Sequence, residues 1–225
     1  MSIIHILDNN TINKIAAGEV VERPSSVVKE LVENSIDAGA GAVTIEIRDG
    51  GISLIRITDN GCGMTKEDAL ICIKRHATSK IRDASDLDGI ATLGFRGEAL
   101  AAISSVSKMR IMTRTKDSIT GIVMECSAGN ITSVEEAGCP EGTTVIVEEL
   151  FANVPARRKF LKRDISETAA VAAVAEKIAL SRPDIAFKFI ADGNLRFTTA
   201  GDGSLMNVIY AVLGRDFAKK LAKVY

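Results

Sequence analysis

Period-two alternation recurs along this chain, and it restricts the fold more than any other feature. Val43, Ile45 and Ile47 alternate with Thr44, Glu46 and Arg48; after Asp49-Gly50-Gly51, Ile55 and Ile57 alternate with Arg56 and Thr58. The pattern predicts a β-hairpin with one buried face. Further alternating segments lie near 106–115, 119–127, 130–136 and 143–149. A second hairpin is expected where 186–191 and 195–199 flank Asp192-Gly193-Asn194. Strands with one apolar face need a cover. Helical spacing or composition supplies it over 26–37, 65–75, 97–104, the Ala-rich 166–180, and 204–213. An α+β two-layer sandwich follows. The weakly periodic stretch 76–96 reads as a long loop, a kind that is usually functional or disordered. Gly201-Asp202-Gly203 is a candidate boundary, giving one domain over 1–200 and the start of a second over 201–225.

Charge narrows the function classes. Lys and Arg total 28 against 29 acidic residues, so bulk charge gives no reason to expect nucleic-acid binding. Any such contact needs a local patch, and Arg157, Arg158, Lys159, Lys162 and Arg163 form the densest one; a solvated loop and helix start explains it at least as well. Cys62, Cys72, Cys126 and Cys139 form no C-x-x-C pair, so reduced thiols in a cytosolic protein are expected rather than a zinc site. No signal peptide and no membrane span are expected.

The helix over 26–37 carries an unusual stripe. At about 100° per residue, Glu30, Asn34 and Asp37 fall within about 60° of one another, opposite Val27, Val28, Leu31, Val32 and Ile36. Such a stripe is either a solvated face or a base and Mg²⁺ face, since Mg²⁺ takes few protein oxygens and completes its shell with water and phosphate. Three glycine clusters add to it. Asp59-Asn60-Gly61-Cys62-Gly63-Met64 follows a strand; Gly94-Phe95-Arg96-Gly97 opens a helix; Gly142-Thr143-Thr144 precedes a strand. Each alone is also explained as a turn or helix entry. No Walker A sequence is present, because Gly89 and Gly94 are followed by Phe95-Arg96.

In this order, the four pieces resemble the Bergerat-fold ATPases, the group of DNA gyrase, the large heat-shock chaperone, sensor histidine kinases and MutL. Stretches 15–24, 29–40, 76–80, 92–100 and 150–161 resemble the MutL family of DNA mismatch repair proteins specifically. The resemblance implies a mixed, mostly antiparallel sheet and an ATPase that uses ATP and Mg²⁺. It implies Glu30 as general base, Asn34 as Mg²⁺ ligand with Asp37 beside the nucleotide, and Asp59 on the adenine amine. Gly61, Gly63, Met64 and Thr144 would border the base. Thr78, Ser79 and Lys80 would belong to a lid, and Leu93, Gly94, Phe95, Arg96, Gly97, Glu98, Ala99 and Leu100 would wrap the triphosphate. It further implies a switch that dimerises through its N-terminal arm, residues 1–20, when ATP binds. Signalling would run from the mismatch-recognition protein MutS to downstream repair enzymes, with weak non-specific DNA binding, no membrane, and a cytoplasmic location if bacterial. The family's transducer-domain lysine matches no residue here, so slow turnover is expected of residues 1–225. Phosphotransfer to a protein, as in a histidine kinase, and a non-catalytic nucleotide module are the competing readings.

Overall fold

Among the helices described in full, Pro24 opens the first, because its missing N–H falls where the helix leaves donors unpaired anyway, and Arg23 before it is extended. This helix, α1 (Pro24–Asp37), buries Val27, Val28, Leu31, Val32 and Ile36, the arc its spacing predicts. The computed structural model describes residues 5, 12, 17, 18, 20–81, 83–89 and 92–221. The expected N-terminal arm, residues 1–20, thus lies mostly outside the described residues.

The chain continues through β1 (Ala42–Arg48), a 3₁₀ turn (Asp49–Gly51), β2 (Leu54–Asp59) and α2 (Lys66–Ile71). After a 3₁₀ turn at Ala84–Gly89 come α3 (Ala99–Ser105), β3 (Lys108–Arg114), β4 (Gly121–Ser127), β5 (Asn130–Ala137) and β6 (Gly142–Glu148). Then follow α4 (Pro155–Arg158), α5 (Asp164–Ser181), β7 (Ala186–Ala191), β8 (Asn194–Thr198), α6 (Leu205–Leu213) and α7 (Arg215–Ala218). The sheet order is β5-β4-β3-β6-β2-β1-β7-β8. Pairings among the described residues are antiparallel except β1 with β7. This is the mixed, mostly antiparallel sheet and the α+β sandwich that were expected.

One face of the sheet carries Val43, Ile45, Ile47, Ile55, Ile57, Ile111, Val145, Phe187 and Phe189, all buried, and α1, α3 and α5 complete the same core. On the alternate positions Glu46 pairs with Arg56 and, at 3.5 Å, with Arg48. The second expected hairpin forms as β7–β8, with Asp192 and Gly193 both at positive φ as a tight two-residue turn requires. The helix expected over 65–75 is shorter. Thr65 caps it by accepting from the Asp68 N–H at 3.1 Å, and it ends at Ile71, whose carbonyl accepts from the Lys74 N–H at 2.8 Å in a tight turn. Helix α6 packs on α5 and β8 through the buried Val208.

Candidate functional site

The polar side of α1 is half-buried rather than solvated. Glu30 has Lys29 Nζ 3.7 Å from its carboxylate, and Lys29 also binds Glu33 at 2.9 Å. Burial pushes the Glu30 carboxyl above the usual glutamate range; the Lys29 ammonium opposes this and the Glu33 carboxylate adds to it. A carboxylate with raised proton affinity suits a group that must accept a proton near neutral pH.

The C-terminal half of α1 gathers two clusters. In the first, Ser35 turns from the apolar arc and donates its hydroxyl to Asp59 Oδ2 at 2.8 Å, at the end of β2. Asp59 Oδ1 accepts from the N–H of Gly61 at 2.9 Å and of Thr143 at 3.2 Å. A carboxylate held by three donors from a helix, a turn and a neighbouring strand has a fixed orientation. Asn60 Oδ1 closes the turn after α1 by accepting from Gly41 and Ala42 N–H. Gly63 sits at φ +68 against the backbone of Arg114, where any Cβ would collide. Met64 N–H donates to the buried Thr113 hydroxyl at 2.9 Å. Thr144 Oγ1 donates to Thr58 Oγ1 at 3.1 Å across β6 and β2.

The second cluster surrounds Asp37. Lys80 Nζ lies 2.5 Å from Asp37 Oδ2 and 2.9 Å from Asn34 Oδ1. The N–H groups of Leu93 and Gly94 donate to Asp37 at 3.0 and 3.3 Å. Both ends of the long loop are therefore pinned to α1. Thr78 accepts from the Lys80 N–H at 3.2 Å, and Ser79 between them is exposed. Arg96 stacks over Phe95 at 5.7 Å. Gly97, at φ +63, packs on the Ala77 backbone; Glu98 precedes α3 and faces His76 Nδ1 at 3.5 Å. Ala99 and Leu100 form the first turn of α3. A cavity of about 560 Å³, lined in part by Leu70, Ile73, Ala102 and Ile131, shares only Glu98 with these residues.

Sequence reasoning placed Asp59, Asn34 and Asp37 on the right elements but missed Ser35 and Thr143 as donors to Asp59, and Thr113 as the partner of the Met64 N–H. Ser35 was detectable as a hydroxyl inside the apolar arc of α1. Thr113 and Thr143 were not, because they reach the site only through the pairing of β3 and β2 with β6. Of the five-residue basic patch, Arg157 is committed: it donates to Val21 O at 2.7 Å and lies over the Phe151 ring. Arg158, Lys159, Lys162 and Arg163 are exposed.

Comparison with known proteins places this geometry. Residues 22–155 match the family described as histidine kinase-, DNA gyrase B- and HSP90-like ATPases. The DNA mismatch repair protein MutL of Agathobacter rectalis is 52% identical over 98% of this chain and 34% of its own length. That of Caldanaerobacter subterraneus is 51% identical over 96% of the chain and 37% of its own. The chain thus spans about a third of the curated relatives it matches. Among solved structures, the Aquifex aeolicus MutL ATPase domain complexed with ADP superposes with a TM-score of 0.72. It is 36% identical, with 86% of this chain and 70% of that one covered. The N-terminal domain of a DNA repair protein gives a TM-score of 0.77 at 31% identity over 90% of this chain and 60% of that one. The chain belongs to the MutL family of DNA mismatch repair proteins, in the part that forms the family's ATPase domain.

Proposed function

We propose that this chain binds Mg-ATP on α1 and the adjoining sheet end, and hydrolyses it as the switch of a mismatch repair protein. The observation that carries the reading is that one helix presents Glu30 and Asn34 while anchoring Asp59 through Ser35. Asp59, held by three donors, keeps a carboxylate oxygen oriented to accept from the adenine amine, with Gly61, Gly63, Met64 and Thr144 beside the base. Glu30 takes the proton of the attacking water. The donor chemistry at Asn34 fits Mg²⁺: its amide oxygen already attracts a cation, and Mg²⁺ takes few oxygens from protein and completes its shell with water and phosphate. Mg²⁺ there would neutralise phosphate charge. Thr78, Ser79, Lys80 and residues 93–100 would border the phosphates, and positioning would account for most of the rate, as phosphoryl transfer requires.

In a full-length protein, ATP binding would close two copies through the N-terminal region and signal between MutS and later repair enzymes. The exposed Arg158, Lys159, Lys162 and Arg163 would give weak, salt-sensitive DNA contact. Residues 201–225 would begin a transducer domain. The test is ADP binding by calorimetry together with phosphate release. Nucleotide-dependent release of inorganic phosphate supports hydrolysis; phosphate carried instead to a protein partner, or bound ATP left intact, favours the competing readings.

A further inference from the structure

Asp37 is nearly buried, with a side chain only 7% exposed; among the described residues its ion-pair partner is Lys80, itself 18% exposed, while the Arg182 guanidinium acts on it from further away. A buried carboxylate without a countercharge is costly. The same ammonium also touches Asn34 Oδ1, the oxygen assigned above to the metal. One donor group therefore satisfies the two oxygens that a divalent cation would approach from the same side of α1.

We propose that Lys80 is an intramolecular stand-in for the divalent cation: it occupies the Asn34 and Asp37 oxygens in the nucleotide-free protein and must leave when the metal arrives. The inference rests on the reading of Asn34 as the metal's protein ligand and adds how that site is regulated. Lys80 belongs to the segment whose other end, Leu93 and Gly94, also hangs on Asp37. Eviction of the ammonium therefore releases residues 78–80 from α1 at the moment the metal binds. Metal loading and loop rearrangement become one event, with no separate signal between them. Occupancy by Lys80 also lowers the metal's apparent affinity in proportion to the fraction of protein that is plugged.

The experiment measures Mn²⁺ binding to the nucleotide-free protein by electron paramagnetic resonance. Lys80→Met is expected to bind Mn²⁺ about tenfold more tightly than the unaltered protein, as a site plugged roughly nine-tenths of the time would show. In an Asn34→Ala background the same change is expected to have little effect. An equal gain with and without Asn34 would reduce Lys80 to a distant charge and overturn the proposal, as would no gain at all. A second measurement needs no variant: Mn²⁺ alone is expected to raise the rate at which an amine-acylating reagent labels Lys80, and a flat labelling rate refutes eviction. Mn-ADP affinity separates the two layers of the argument. If Asn34→Ala leaves that affinity unchanged, the metal site itself is misplaced and both readings fall. If Asn34→Ala weakens it while Lys80→Met changes nothing, only the stand-in is wrong.

Discussion

Glu30 binds its proton more tightly in the folded chain than in the unfolded one, and burial is the main cause. Its contribution to stability is therefore full below the ordinary glutamate value and is lost as pH rises through the higher folded value. Near neutral pH the ionised side chain works against folding. Glu30→Gln in the nucleotide-free chain is expected to melt at a higher temperature than the unaltered protein near neutrality, and the difference should shrink toward about pH 4. The same change removes the proposed base, so hydrolysis should fall by about 10²–10⁴ while ADP affinity stays within a few-fold. The acid limb of the rate profile should lie above the usual glutamate range; normal turnover by Glu30→Gln would remove it from the mechanism. Asp59 admits a parallel test. Asp59→Ala strips a partner from the adenine amine and should weaken ATP binding by about 1–3 kcal/mol. Ser35→Ala leaves two of the three donors to Asp59 and should cost less, about 1 kcal/mol. Calorimetry with ATP and GTP checks both, and equal affinity for the two nucleotides in the unaltered protein would argue against Asp59 as the base reader.

Helix α1 can present its polar side only if its entry is held. Glu167 on α5, with a side chain 1% exposed, accepts from Arg23 Nε at 3.1 Å and NH2 at 3.0 Å, and from the Lys162 N–H at 2.9 Å. Arg23→Ala would leave a buried charge with a single donor, at a cost of about 3 kcal/mol in urea unfolding. Replacing both partners with apolar residues should recover much of that loss, because no unpaired charge remains. Single and double variants of equal stability would mean that the pair is not the clamp. Elements of this kind differ in how openly the sequence displays them. The arc of α1 and the hairpins β1–β2 and β7–β8 are written in local spacing, so period and turn residues sufficed. The insertion of β6 between β3 and β2, which brings Thr143 to Asp59, is a long-range pairing with no local trace. The same holds for Lys80 on Asn34, 46 residues away, although the loop containing Lys80 was visible as a loop. The proposed roles of Glu30, Asn34 and Asp59 came from motif resemblance; spacing alone favoured a solvated face for the stripe.

At the scale of the molecule, the sheet and its helices close one core, while the last described helices turn apolar side chains outward. Val208 anchors α6, yet Leu205, Met206, Tyr210 and Leu213 are exposed, as are Phe217 in α7 and Leu221 after it. A patch of this kind on a chain that spans about a third of its relatives fits the proposed transducer domain, which would cover it in a longer protein. The two lengths should then respond differently to the same substitutions. In the 225-residue chain, Leu205 and Phe217 are 50% and 49% exposed, so Leu205→Ser with Phe217→Ser removes solvent-facing and packed area in about equal parts. Its unfolding free energy should drop by about 1 kcal/mol for each change, roughly half the value of full burial, and binding of a hydrophobic dye should fall. In a protein extended through the second domain, the two side chains would be buried, and their loss should cost about 1.5–3 kcal/mol apiece. Denaturant titration of both lengths, with and without the pair of changes, reads the difference directly. Equal and small effects in both would leave the patch uncovered in the longer protein and place the second domain against another surface.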